Sequence, residues 1–210
     1  MSKTRLRIRI VINLFTAIAP FAAWMIMIFG KGGILSSAGI ISLKYFTVLS
    51  NLLEGIASIL WLLAIWQKKD LHKAEVMKYI SCLCVLLTFI TVVAFLGPIF
   101  GYGGMFSGGN FWLHLIIPLV ALGEMLFLVR EKITMQENAM AIIPIIAYGI
   151  GYLINIVING RGNEVDGWND FYGFFAWGMP IGFAIFAGIC LIIFGVGFVL
   201  RKIIEPGRIY

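Results

Sequence analysis

The chain has 210 residues, 61% of them hydrophobic, 12% charged and a mean hydropathy of +0.99. A soluble domain of this size carries about 25% charged residues, so the composition excludes an ordinary water-soluble enzyme and points to an all-α, polytopic integral membrane protein. The net charge of +6 sits on basic residues at the ends of apolar runs, a pattern that reports membrane topology and not nucleic-acid binding.

The N-terminus, MSKTRLRIRI, is basic and leads into an apolar run over 10–29. This resembles a signal peptide, but the best small-residue site, Ala17-Ile18-Ala19, is followed by Pro20, which blocks processing. The run is therefore read as a retained first span. A glycine-bearing loop with Gly32, Gly33 and Gly39 follows. The second span is expected over 45–66 and the third over 79–100, ending at the helix-stop pair Gly97-Pro98. A fourth over 111–129 carries His114, Pro118 and Glu124. A fifth over 139–158 contains Pro144, and a sixth over 174–200 is longer than a bilayer needs, with Pro180 as a site for a bend. One transmembrane domain over 1–210 is expected.

Orientation follows from the basic residues. Lys3, Arg5, Arg7, Arg9, Lys68, Lys69, Lys73, Lys78, Arg130, Lys132, Arg201, Lys202 and Arg208 fall on one side, and Lys31, Lys44 and Arg161 on the other. The positive-inside rule then places both termini in the cytoplasm, with a bacterial inner membrane as the expected location. Cys82, Cys84 and Cys190 lie inside apolar runs without metal-ligand or disulfide spacing and read as buried thiols. With His72 in a cytoplasmic loop, His114 has too few companions for a metal site. No metal or cofactor is expected.

The second span is the unusual one. Its sequence KYFTVLSNLLEGIASILWLLAIW holds Thr47, Ser50, Asn51 and Glu54. At helical periodicity Thr47, Asn51 and Glu54 share one face, which lipid cannot solvate. Ser50 is the fallback nucleophile and, with Asn51, a candidate oxyanion or orienting group, although it points about 60° away from that line. Thr47, early in span two, and His114, early in span four, come at similar shallow depth under the same surface. A histidine titrates near neutral pH and is a candidate general base. Bridging two helices is its commoner use. A threonine hydroxyl is a weak nucleophile without such a base, and most membrane threonines bond back to the preceding turn.

Asn51 could orient the imidazole or donate to an oxyanion. Glu54, near mid-span, is expected to be protonated or paired, and a structural bridge is its plainer use. Tyr148, Tyr152, Asn155 and Asn159 form a polar stripe on span five, expected to line the same interior together with Pro118. The uncharged loop GYGGMFSGG lacks the lysine and the strand–loop–helix setting of a phosphate cradle. The loop bearing Arg161, Asp166, Trp168 and Asp170 covers the same side.

YFTVLSNLL at the head of span two and HLIIP at the head of span four resemble the androgen-induced family of six-span membrane proteins, which has many bacterial relatives. The span order, the Pro-containing fifth span with Tyr148 and the Asn-Gly-Arg-Gly turn after it are also similar. The resemblance implies an intramembrane hydrolase of fatty-acid esters of hydroxy fatty acids. It puts the threonine nucleophile at Thr47 and the histidine at His114, with an amphipathic lipid ester from the membrane as substrate. Glu54 and Glu124 do not match that pattern. The competing expectations are a small transporter or channel using these carboxyls, built from two inverted halves of three spans, and a non-catalytic membrane scaffold.

Overall fold

The computed structural model describes residues 2–29, 36–163 and 167–205. Lys31, Gly32, Gly33, Asp166, Arg208 and the Trp168 side chain lie outside the described residues. Among the described residues six helices are long and apolar enough to cross a membrane: α1 (Lys3–Phe29), α2 (Phe46–Trp66), α3 (His72–Phe100), α4 (Gly109–Leu128), α5 (Met135–Asn159) and α6 (Met179–Ile204). The chain is a multi-pass membrane protein. Six crossings put the 67–71 and 129–134 connections at the end of the bundle that bears the termini. The 3₁₀ segment Ser36–Lys44 and the 101–108 and 160–178 connections cap the other, far end.

Each helix is set by an apolar run, and its interruptions have local causes. In α1 the buried residues are Arg9, Asn13, Thr16, Pro20, Ala23 and Met27, a repeat of three and four that draws one inward stripe. The helix runs through Pro20 without a break. In α3 and α4 the π segments Val92–Leu96 and Trp112–Ile116 each stop two residues before a proline, Pro98 and Pro118. Neither proline has an N–H for the carbonyl four residues back, so the ladder loosens into a wider turn there. For Pro118 that carbonyl belongs to His114. In α5 the Met135–Met140 turn gives way at Ala141-Ile142 to the main Ile143–Asn159 segment, which has Pro144 in its first turn.

The sixth span differs from the expected start at 174. Gly178 adopts φ 94°, and α6 begins at Met179 with Pro180 in its first turn. Pro180 is therefore a starter and not a bend, since its missing N–H is one that a first turn leaves unpaired in any case. Residues 171–178 instead fold as turns that tuck Phe175 under the far-end cover.

The helices α1, α2, α3 and α4 form a four-helix core, with α6 packed on α3 and α4. The large apolar core lies among α3, α4, α5 and α6, around Tyr79, Leu83, Leu86, Met125, Ile193 and Ile204. A smaller one joins Ala23 and Met27 of α1, Val48 of α2 and Leu113 and Ile117 of α4. Asn138 pins α5 to both neighbours. Its Oδ1 is 2.5 Å from the Tyr79 hydroxyl, and its amide donates to the Phe194 carbonyl at 3.2 Å. Gly197 makes room for this joint, because a Cβ there would stand 2.2 Å from Asn138 Oδ1.

Candidate functional site

The far-end site is built where α2 and α4 begin. Tyr45 caps α2 in an extended conformation. The first free N–H of the helix, that of Phe46, donates to the Tyr172 hydroxyl at 3.0 Å. Tyr148 donates to the Lys44 carbonyl at 2.7 Å. Two tyrosines thus fix the entry of α2, one turn from Thr47. Thr47 is half-buried. Its backbone carbonyl accepts from Ser50 Oγ at 3.1 Å and from Asn51 Nδ2 at 2.7 Å, while its own hydroxyl makes no hydrogen bond among the described residues. The usual back-bond to the preceding turn is absent, and the Lys44 carbonyl three residues back accepts from Tyr148 instead.

His114 is 3% exposed. Its Nδ1 lies 2.7 Å from the Met105 carbonyl. A carbonyl only accepts, so Nδ1 carries the proton in this bond and the neutral ring keeps its lone pair on Nε2. Nε2 has no hydrogen-bond partner among the described residues. Met105 sits on the short helix Tyr102–Met105 in the glycine-rich loop, so that loop positions the imidazole.

Asn51 ties the two helices. Its amide nitrogen donates to the Thr47 carbonyl and also, at 3.0 Å, to the Leu113 carbonyl beside His114. Both N–H groups are spent, which suits an orienting role and leaves neither for an oxyanion. Ser50 turns the other way and bonds Thr88 Oγ1 of α3 at 3.1 Å, so it aligns helices and does not reach toward His114. No hydrogen bond joins Thr47 to His114. The two groups stand on helix heads linked through Asn51.

The other expected lining residues divide. Pro118 is buried in α4, one turn beyond His114. Tyr148 and Tyr152 line a separate apolar cavity of about 90 Å³ between α5 and α6, with Phe174, Phe175 and Phe186. Tyr152 donates to Asp170 Oδ1 at 2.6 Å. Asp170 is 4% exposed and also takes the Phe175 N–H and an Arg161 N–H. The loop bearing Arg161 and Asp170 is therefore stapled to α5 by a buried carboxylate. Asn155 accepts from Asn159 on the bundle periphery and lines neither cavity described in this section.

Glu54 is placed away from this site. Seven residues of helix put it about 10 Å along the axis from Thr47, within a buried ionic cluster in the other half of the bundle. Lys78 Nζ contacts Glu54 Oε1 and donates to Ser58 Oγ at 2.9 Å, and Ser81 donates to Glu54 Oε2 at 2.5 Å. Arg9 grips Glu75 with two N–H groups, at 2.5 and 2.8 Å, and reaches Glu124 Oε1 through Nε at 3.0 Å. Asn13 donates to the same Glu124 oxygen at 2.7 Å. Trp61 donates to Glu75 at 2.9 Å, and its ring lies 4.5 Å from the Arg9 guanidinium.

Arg9, Glu75 and Lys78, which the sequence places in flanks and loops, are 2%, 4% and 0% exposed. They are interior residues, and the thirteen-to-three count of basic residues loses two of its larger side. One signal for the cluster was present. The inward spacing of Asn51 and Glu54 continues to Ser58 and Trp61, and Arg9-Asn13-Thr16 repeats it on α1. Among the described residues no group of three or more His, Cys, Asp or Glu is placed to hold a metal.

An apolar groove of about 410 Å³ opens on the outside of α1, bordered by Phe15, Ile18, Ala22, Ile26 and Trp112. Ala23, which lines it, packs on the inner side in one apolar cluster with Val48 and Leu113. Compared with known proteins, the chain matches no family model, no curated protein and no solved structure.

Proposed function

We propose that the protein is an intramembrane lipid-ester hydrolase of the androgen-induced type, acting in a cell membrane of bacterial inner-membrane type with both termini cytoplasmic. In this reading His114 Nε2 takes the proton from Thr47 Oγ1 as that oxygen attacks the ester carbonyl carbon. The tetrahedral intermediate expels the alcohol, which takes the proton back from Nε2. The acyl-threonine is then hydrolysed by water, activated in turn by Nε2, and releases a fatty acid. Asn51 holds the two helix heads in register. At the start of α2 the Phe46, Val48 and Leu49 N–H groups are already engaged, so the backbone N–H of Thr47 is the donor left there to hold the oxyanion, a role worth a few kcal/mol in known enzymes.

The observation that carries this reading is the state of His114. A buried imidazole tethered through Nδ1 to a carbonyl, with Nε2 unbonded, is in the tautomer and the fixed orientation that a general base needs. The unbonded Thr47 hydroxyl on the helix head joined to it by Asn51 adds to this. A helix-bridging histidine would instead have its second nitrogen engaged. The substrate class, an amphipathic ester with its acyl chains in the bilayer, rests on the resemblance of the YFTVLSNLL and HLIIP segments.

The test is labelling of the protein in detergent or nanodiscs by a fluorophosphonate or an activated acyl ester. Adduct at Thr47, lost in Thr47→Ala and in His114→Ala with folding retained, is the expected result. Turnover unchanged in either variant rejects the mechanism. A flux through proteoliposomes that depends on Glu54 or Glu124, without labelling, would favour the transporter reading.

A further inference from the structure

The ionic cluster holds an odd number of charges. Arg9 and Lys78 supply two positive groups, and Glu54, Glu75 and Glu124 supply three carboxyls, all within the bundle at 4% exposure or less. With every group ionised, the cluster would bury one uncompensated negative charge at membrane depth, the most expensive arrangement for such a site. That burial also closes the cluster to solvent.

The hydrogen bonds single out one carboxyl. Glu75 accepts two Arg9 N–H groups and the Trp61 indole, and Glu54 has donors on both oxygens. Both are satisfied as anions. Glu124 is lopsided. Its Oε1 receives Arg9 and Asn13, whereas its Oε2 has no hydrogen-bond partner, Lys78 Nζ lying 3.2 Å away but off the bonding direction. A second buried acceptor, Asn13 Oδ1, also lacks a donor. Asn13 and Glu124 are both fully buried and already share one bond, from Asn13 Nδ2 to Glu124 Oε1.

An amide and a carboxylic acid form a cyclic pair from one N–H···O and one O–H···O bond. The first is present here. The second needs a hydrogen on Glu124 Oε2 facing Asn13 Oδ1, and it would satisfy both orphan acceptors at once.

We propose that the cluster is a proton-binding site, with one proton held on Glu124 Oε2 and directed to Asn13. The groups facing it are Arg9 and Asn13 of α1, Glu54 of α2 and Glu75, Lys78 and the Cys82 thiol of α3. A metal cation is disfavoured, because no three of the carboxyl, His or Cys groups among the described residues are placed to hold one. A proton needs neither a cavity nor a shell of ligands. This site is independent of the hydrolase reading and would remain if that reading failed.

Infrared spectroscopy of the whole protein in lipid nanodiscs at neutral pH tests it. The expected spectrum has the carbonyl stretch of one protonated carboxyl, shifted in heavy water, unchanged on replacing choline chloride by sodium chloride, and lost in Glu124→Gln but kept in Glu54→Gln. Because glutamine can make the same cyclic pair with Asn13, Glu124→Gln should unfold at or above the wild-type temperature, and Glu75→Gln well below it. The wild-type spectrum alone overturns the proposal if it has no such band. A band removed by sodium, or lost in Glu54→Gln and kept in Glu124→Gln, also overturns it, as does a Glu124→Gln protein that fails to fold.

Discussion

The two halves of this bundle treat polar groups in opposite ways. Toward the terminal end, Arg9, Glu54, Glu75, Lys78 and Glu124 are fully buried and cross-linked through Asn13, Ser58, Trp61 and Ser81, and the acceptors left without a donor in this cluster, Glu124 Oε2 and Asn13 Oδ1, are the pair assigned the proton. Toward the far end, Thr47 and His114 each keep one reactive atom without a hydrogen bond, while neighbouring groups do the structural work. The Met105 carbonyl holds the imidazole, Asn51 joins the helices and Ser50 turns to Thr88. Buried polar groups are normally satisfied. A network of ion pairs is therefore what a membrane interior demands of a scaffold, and an unbonded hydroxyl and a tethered histidine on two helix heads joined through Asn51 are the arrangement to examine for chemistry.

The contrast breaks most visibly at Lys78. Lys78→Met leaves Glu54 buried without its cation, and loss of one partner of a buried pair costs about 3–5 kcal/mol. Chemical unfolding in mixed micelles should register that loss, and a shift within error would show that the cluster is not a staple. Asn51→Leu comes next. It strips the side-chain donor from the Leu113 carbonyl and leaves the Thr47 carbonyl with Ser50 Oγ, with about 1–3 kcal/mol expected from leaving a buried group unpaired. Probe labelling should also fall, since the two helix heads lose their tie. Labelling that survives at the wild-type rate would remove Asn51 from the site.

At the terminal rim, His72 bridges Glu131 at 2.9 Å and Glu137 at 2.7 Å with 37% of its side chain exposed. His72→Ala should cost no more than about 1 kcal/mol, as surface pairs do, so a larger loss would extend the scaffold into the connections. The smallest effect on stability belongs to Thr47→Val. With no hydrogen bond to the hydroxyl to lose, the change should stay within about 0.5 kcal/mol while labelling is abolished. A strongly destabilised Thr47→Val protein would show that this hydroxyl is structural after all.

Much of the architecture was written along the chain. Six apolar runs punctuated by glycine, proline and charge gave the six helices, and the spacing of Thr47, Asn51 and Glu54 gave the inward face of α2. Helical periodicity is a local property and can be read from one segment at a time. The same periodicity could not say where along that face a site ends. Glu54 shares the face of Thr47 but belongs to a different cluster a turn and more away.

Hydropathy also misplaced Arg9, Glu75 and Lys78, because a charge near the end of an apolar run looks like a flank whether it faces water or a partner. That decision depends on residues 24 to 115 positions away, and no pattern within one helix encodes it. What the amino-acid order determined by itself is the number of membrane helices and the polar face on each, since these follow from local hydrophobicity. Only the tertiary structure decided which polar groups neutralise one another and which are left with an open bond, because burying a charge is tolerable only beside a partner that another helix must bring.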